Sequence, residues 1–97
     1  MKIRLSKAAD RDLSAILEYS IAQHGWPVAG AYARQLQRTI ARLEDHPELG
    51  VSRPDLKPPL RSLSCGEHLI FYRTAPPPIL VVRILHKAMD IHRHLKP

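Results

Sequence analysis

Hydrophobic and polar positions divide the chain into segments of different period. Ile3 and Leu5 alternate with Lys2 and Arg4, a period-two signal that predicts a short outer strand. Ser6 follows with a hydroxyl suited to unpaired backbone N–H groups, and Asp10 and Asp12 add negative charge where a helix dipole favours it. Leu13, Ile16, Leu17, Ile21 and His24 then recur at helical spacing until Gly25, a natural helix stop. Pro27 suits the first turn of a second helix, because its missing N–H has no intrahelical partner to lose. Ala29, Tyr32, Ala33, Leu36, Ile40 and Leu43 form the stripe of that helix, which is predicted to run to Pro47. The short break at Gly25-Trp26 implies an antiparallel helical hairpin.

Residues 47–59 hold four of the nine prolines and Gly50, and read as a connector. Three strands follow, at 60–65, 68–74 and 79–86, separated by Gly66 and by Ala75-Pro76-Pro77-Pro78. Their short connections predict an antiparallel meander, in which residues 79–82 read as a strand buried on both faces. Asp90 is placed to cap a last helical turn through His94 and Leu95. The order β-α-α-β-β-β predicts one α+β domain over residues 1–97, with the helical hairpin on one face of a small antiparallel sheet. Its other face is expected to stay open, with Arg61, Arg73, Arg83 and the chain's end forming a concave basic surface. Trp26, Tyr32 and Phe71 are read as core.

Composition narrows the function classes. The 97 residues are 44% hydrophobic and 25% charged, the balance of an ordinary folded domain. No apolar run exceeds four residues, so neither a spanning helix nor a secretory signal is expected, and a cytoplasmic protein is the simplest reading. The net charge is +6, and it is uneven. Residues 1–48 carry seven basic and six acidic side chains, whereas residues 49–97 carry eight and three. An anionic partner is expected at the second half, whether nucleic acid or an acidic protein segment.

Individual residues add candidate chemistry. Arg34, Arg38 and Arg42 form a basic row at four-residue spacing, either a solvated helix face or a seat for an acidic partner segment. Arg53 before Pro54 is held extended, which would pin the connector against the sheet edge. Tyr72 reads as a packed aromatic whose hydroxyl needs a partner. Arg83 interrupts an apolar strand, which is tolerable if it reaches solvent on the open face or is paired. His86 and Asp90, four apart, suggest a structural hydrogen bond rather than a catalytic pair. Cys65 alone forms no intramolecular disulfide and reads as a small buried residue. His86, His92 and His94 lack the spacing and partners of a metal site, so no metal or other cofactor is expected. Without a recognition-helix motif, direct sequence-specific DNA binding is not expected either.

Four patches together resemble the ParE toxins of the ParE/RelE superfamily over nearly the whole chain. They are Asp12-Leu13-x-x-Ile16-x-x-Tyr19, Pro47-x-x-Gly50-x-x-Arg53-Pro54-x-Leu56, Leu60-Arg61 with His68-x-Ile70-Phe71-Tyr72-Arg73, and Arg83-Ile84-Leu85-His86-x-x-Met89-Asp90. The resemblance implies a sheet curved around a helical hairpin and a hetero-oligomer with a ParD-like, DNA-binding antitoxin whose disordered tail folds over the toxin. It also implies inhibition of DNA gyrase by protein–protein binding. Arg61, Arg73, Arg83, His86, Lys87, Asp90 and His94 are the expected target-binding residues, and Arg34, Arg38, Arg42 and Arg53 the expected antitoxin-binding ones.

The competing class is the RelE-like ribosome-dependent mRNA endoribonuclease, which shares this fold. Cleavage by a ribose hydroxyl needs a proton acceptor, a proton donor and cations at the phosphate. Arg61, His68, Lys87 and His94 are the residues here that would supply them. The C-terminal tail has no tyrosine, and Ala88 stands nearest the position of a second catalytic arginine, so no catalytic residue is expected.

Overall fold

A computed structural model describes residues 2–95. Strand β1 (Ile3–Leu5) leads into helix α1 (Lys7–His24), whose N-cap Ser6 accepts the Ala9 N–H through its hydroxyl. Gly25 separates α1 from α2 (Trp26–Ala41) at φ +81°, a backbone state that residues with a Cβ rarely adopt. A 3-10 turn (Arg42–Glu44) ends α2 earlier than its apolar stripe suggested. Then come β2 (Val51–Arg53), β3 (Leu60–Cys65), β4 (His68–Arg73), β5 (Ile79–His86) and a short α3 (Ile91–His94). Asp90 caps α3 by accepting the Arg93 N–H, as its position before that turn predicts.

The sheet order is β1-β5-β4-β3-β2. Strands β2 to β5 are antiparallel, and β1 joins the other edge of β5 in parallel, a direction the short alternating segment at the N-terminus does not encode. The connector also differs from expectation. Its residues 51–53 form an edge strand on β3, because Gly50 brings the backbone close enough to pair. A Cβ at Gly50 would lie 2.7 Å from the Tyr72 ring and 2.9 Å from the Ser62 carbonyl oxygen. The Tyr72 hydroxyl accepts the Gly50 N–H at 2.7 Å and donates to the Pro47 carbonyl at 2.8 Å, so this buried phenol has the partners it requires.

Alternation in β4 sorts the core onto two sides. Ile70 and Tyr72 join Ala9, Leu36, Ile40, Leu43, Ile79 and Val81 beneath the helices. Phe71 faces the other way, into a second cluster with Leu56, Leu60 and Leu85. Leu56 from the connector and Ile91 and Leu95 from the C-terminal turn cover that cluster. The face expected to be open is therefore partly closed by the chain itself. Trp26 corrects the core assignment in the opposite sense, being 68% exposed at the start of α2.

A bulge in β5 sets the position of one functional candidate. Phe71 pairs with Arg83 while Tyr72 pairs with Val81, so Val82 is an extra residue that reverses the alternation beyond it. Past Val81 the outer edge of β5 has no strand partner among the described residues. The start of α1 covers it instead: the Ser6 hydroxyl donates to the Val82 carbonyl at 2.7 Å, and Asp12 accepts the Ile84 N–H at 2.9 Å.

Candidate functional site

Helix α1 buries only Ala9 and Ser20 fully, while Leu13 and Ile16 are half-buried. Its second half consequently leaves a groove of about 600 Å³ against α2 and the ends of β4 and β5. Ile16, Tyr19, Val28, Tyr32, Ile84 and Met89 supply most of the apolar lining. Tyr19, Val28 and Met89 are 69%, 52% and 45% exposed, an apolar rim of the kind that partner surfaces use.

A ring cluster occupies the groove wall. Tyr32 Oη lies 2.6 Å from His68 Nδ1 and 3.1 Å from the Cys65 carbonyl oxygen, and accepts the Glu67 N–H at 3.2 Å. All three contacts are hydrogen bonds if Tyr32 gives its single proton to Cys65 and His68 donates from Nδ1. Gly66, at φ +54°, makes this possible, since a Cβ there would lie 2.6 Å from the Tyr32 ring. The His68 and His86 rings meet edge to face with centroids 5.3 Å apart. His86 Nδ1 accepts the Ala88 N–H at 3.0 Å, which places the proton of its neutral form on Nε2. Burial, and next the adjacent His86, lower the pKa of His68, outweighing the opposite pull of Glu67 and Asp12. Burial raises the Tyr32 phenol above its ordinary range.

The arginines named from the sequence are mostly engaged. Arg83 gives two hydrogen bonds to Asp12, at 2.8 and 3.0 Å, and a third at 3.3 Å to the His94 carbonyl. It is thus a paired residue at the strand edge, not the unpartnered guanidinium that an open face would present. Arg61 donates to the Gly50 carbonyl at 2.8 Å and Arg73 to the Pro76 carbonyl at 2.7 Å. Arg53 pairs with Asp55 at 2.9 Å and lies over the Phe71 ring, and that pairing lowers the Asp55 pKa. By contrast, the side chains of Arg34, Arg38 and Arg42 are exposed and have no partner among the described residues.

The remaining candidates are spread out. His86 and Asp90 do not bond to each other, because His86 takes the Ala88 N–H and Asp90 the Arg93 N–H. Lys87 is exposed just beyond β5, where its backbone N–H donates to the Glu67 carbonyl. His94 Nδ1 donates to the Asp90 carbonyl of its own turn at 2.8 Å, and His92 reaches Asp55 at 3.5 Å. Arg61, opposite Tyr72, and His68, opposite Cys65, sit at opposite ends of the β3–β4 ladder, while His94 belongs to the turn over the other face. Residues 96–97 of the chain's end, assigned to the basic surface, lie outside the described residues. No group of three or more metal-ligating side chains occurs among the described residues, and none of their helices is long and apolar enough to cross a membrane.

Residues 3–91 match the family model of the ParE toxin of the type II toxin–antitoxin system parDE. The chain belongs to the ParE toxin family. It is 37% identical over 92 residues to Toxin ParE1 of Caulobacter vibrioides, covering 95% of each chain. Toxin ParE1 of Mycobacterium tuberculosis is 39% identical over 92 residues, with 94% of each covered, and Toxin ParE of Escherichia coli is 34% identical over 94% of this chain and 89% of that one. The fold matches a chain of the chromosomal ParDE toxin–antitoxin system from P. aeruginosa with a TM-score of 0.78 at 22% identity, over 89% of this chain and 95% of the other. Within this ParE fold the groove and the Tyr32–His68–His86 cluster are features that helical periodicity did not reveal. The signal available was His68 directly after the two-residue turn at Gly66, where the missing Cβ leaves room for the Tyr32 ring.

Proposed function

We propose that this ParE-family toxin acts in the cytoplasm by binding DNA gyrase and inhibiting supercoiling, and that a ParD-like antitoxin neutralises it. The observation that carries a binding mode over cleavage is the separation of Arg61, His68 and His94, which lie at different ends and faces of the sheet. Acid–base cleavage requires such groups within hydrogen-bond reach of one phosphate. The surface assigned to the target comprises Arg83, Lys87, Asp90 and His94 around the C-terminal turn. The antitoxin segment is assigned to the α1 groove through an apolar helix face, with its acidic residues toward Arg34, Arg38 and Arg42. An exposed apolar rim on the groove and a separate basic row along α2 together match a partner that is both amphipathic and acidic.

The test uses purified toxin with gyrase and supercoiled plasmid, alongside translating ribosomes with a defined message. Inhibited supercoiling with accumulation of cleaved DNA is the expected result. Unaltered supercoiling at toxin excess with codon-dependent cleavage of message would replace it with the ribonuclease reading.

A further inference from the structure

The groove joins an apolar lining to two imidazoles, and that combination has a consequence for how a partner is held. We propose that the His68–His86 pair makes occupancy of the groove proton-linked: it holds the apolar helix face of the antitoxin while both rings are neutral and releases it on acidification. The inference rests on the groove being the antitoxin's seat.

Three observations support it. First, the lining is mostly apolar, so a helix laid over it would remove the water that solvates an imidazolium. Second, hydrogen bonding fixes a neutral tautomer at each ring. His86 Nδ1 accepts the Ala88 N–H, so a proton there breaks the bond that shapes the turn leading to Met89 on the groove rim. His68, donating from Nδ1 to Tyr32, keeps Nε2 as its acceptor, and protonation turns that position into a charged donor. Third, the rings lie edge to face at 5.3 Å, so one charge disfavours the other.

The neighbouring charges do not reverse this. Asp12 on α1 is held by Arg83, and Glu67 in the β3–β4 turn is exposed, while His24 on α1 adds a third imidazole of the same sign when charged. Tyr19 and Tyr32 line the groove as neutral phenols, and Lys87 beyond β5 adds positive charge. Covering the groove lowers the proton affinity of the rings, so by linkage protons weaken the complex.

The experiment co-expresses the toxin with the ParD-like antitoxin of its own operon and measures Kd from about pH 7.5 to about pH 5.5. Acid is expected to weaken the complex roughly tenfold, the effect of a one-unit pKa change counted once. His68→Asn with His86→Asn keeps an amide N–H to donate toward Tyr32 at one position and a carbonyl to accept the Ala88 N–H at the other, and is expected to remove most of that dependence. Proton resonances of the wild-type rings, titrated with and without antitoxin, test the same point without a substitution, and lower pKa values in the complex are expected. Affinity that is flat or rises in acid, or falls equally in the double variant, or ring pKa values unmoved by antitoxin, overturns the proposal while leaving the antitoxin assignment standing. If Val28→Asp and Met89→Asp leave affinity unchanged at every pH, the groove is not the seat and both readings fall.

Discussion

Asp12 grips Arg83 with both carboxylate oxygens and at the same time accepts the Ile84 N–H, so one side chain of α1 closes the edge of β5 where β1 ends. The pair is mostly out of water, with 25% of the Arg83 and 15% of the Asp12 side chain exposed. Removing Arg83 alone would leave a carboxylate underpaired in a partly dry site. Arg83→Met is therefore expected to lower stability by about 1–3 kcal/mol, discounted for the remaining solvent screening. A denaturant-melt double-mutant cycle with Asp12→Asn checks this, and additive effects would show that the two residues do not act as a pair. Toxicity of Arg83→Met must be compared at equal folded concentration, since loss of fold and loss of target contact would otherwise look alike.

The contact between Gly50 and Tyr72 gives a second expectation. Gly50→Ala places a methyl within 3 Å of the ring and of the Ser62 carbonyl, neither of which is a flexible chain end. Overpacking of this kind costs about 1–3 kcal/mol. Tyr72→Phe keeps the packing but strands the Gly50 N–H and the Pro47 carbonyl, at a similar cost of about 1–3 kcal/mol. Thermal melts of both variants measure the effect, and an unchanged Tm in either would show that the Gly50–Tyr72 contact does not hold the connector to the sheet.

Stability should fall in acid through His68. Its folded pKa is lowered by burial first and by His86 second, so the folded state binds the proton less readily than the unfolded chain. Nothing is lost above the unfolded value of about 6.5. Below it, protons favour unfolding until the lowered folded pKa is passed. Tm measured from about pH 8 to about pH 5 should decline below about pH 6.5, less steeply in His68→Asn. Parallel profiles for the two proteins would assign the decline to other groups.

The arginine row of α2 offers a test of its role that spares the fold. The side chains of Arg34, Arg38 and Arg42 are exposed and have no partner among the described residues, so replacing all three with Glu should change Tm little. Antitoxin affinity should drop by about tenfold or more and lose part of its salt dependence. Unchanged affinity would identify the row as a solvated face.

The strands of the meander were readable because each signal was local: alternation or a short apolar run, then Gly66, then the proline break. The start of α1 was readable for the same reason, Ser6 lying three residues before the N–H it accepts. The exposure of Trp26 has no local signal, because an aromatic next to a proline gives no indication of which way the one-residue break at Gly25 aims it. Strand β2 was missed because three residues amid prolines carry no period, and their pairing depends on β3 being there. The groove escaped notice since it is defined by what α1 fails to bury, a property of the distance between helix and sheet.

Residue order by itself determined the element types other than β2, the helical hairpin, the β3–β4–β5 meander, the capping of α1 and α3, and the family resemblance. These follow from backbone and side-chain preferences acting over a few residues. Only the tertiary structure decided that β1 runs parallel to β5, that α3 and the connector cover the second face, and that Arg83 belongs to Asp12, 71 positions away in the chain. It also brought Tyr32, His68 and His86 to one wall of one groove. Contacts between residues so far apart form only when the β5 bulge and the tilt of the hairpin are fixed, and both are settled by packing of the whole core rather than by any segment's own preference.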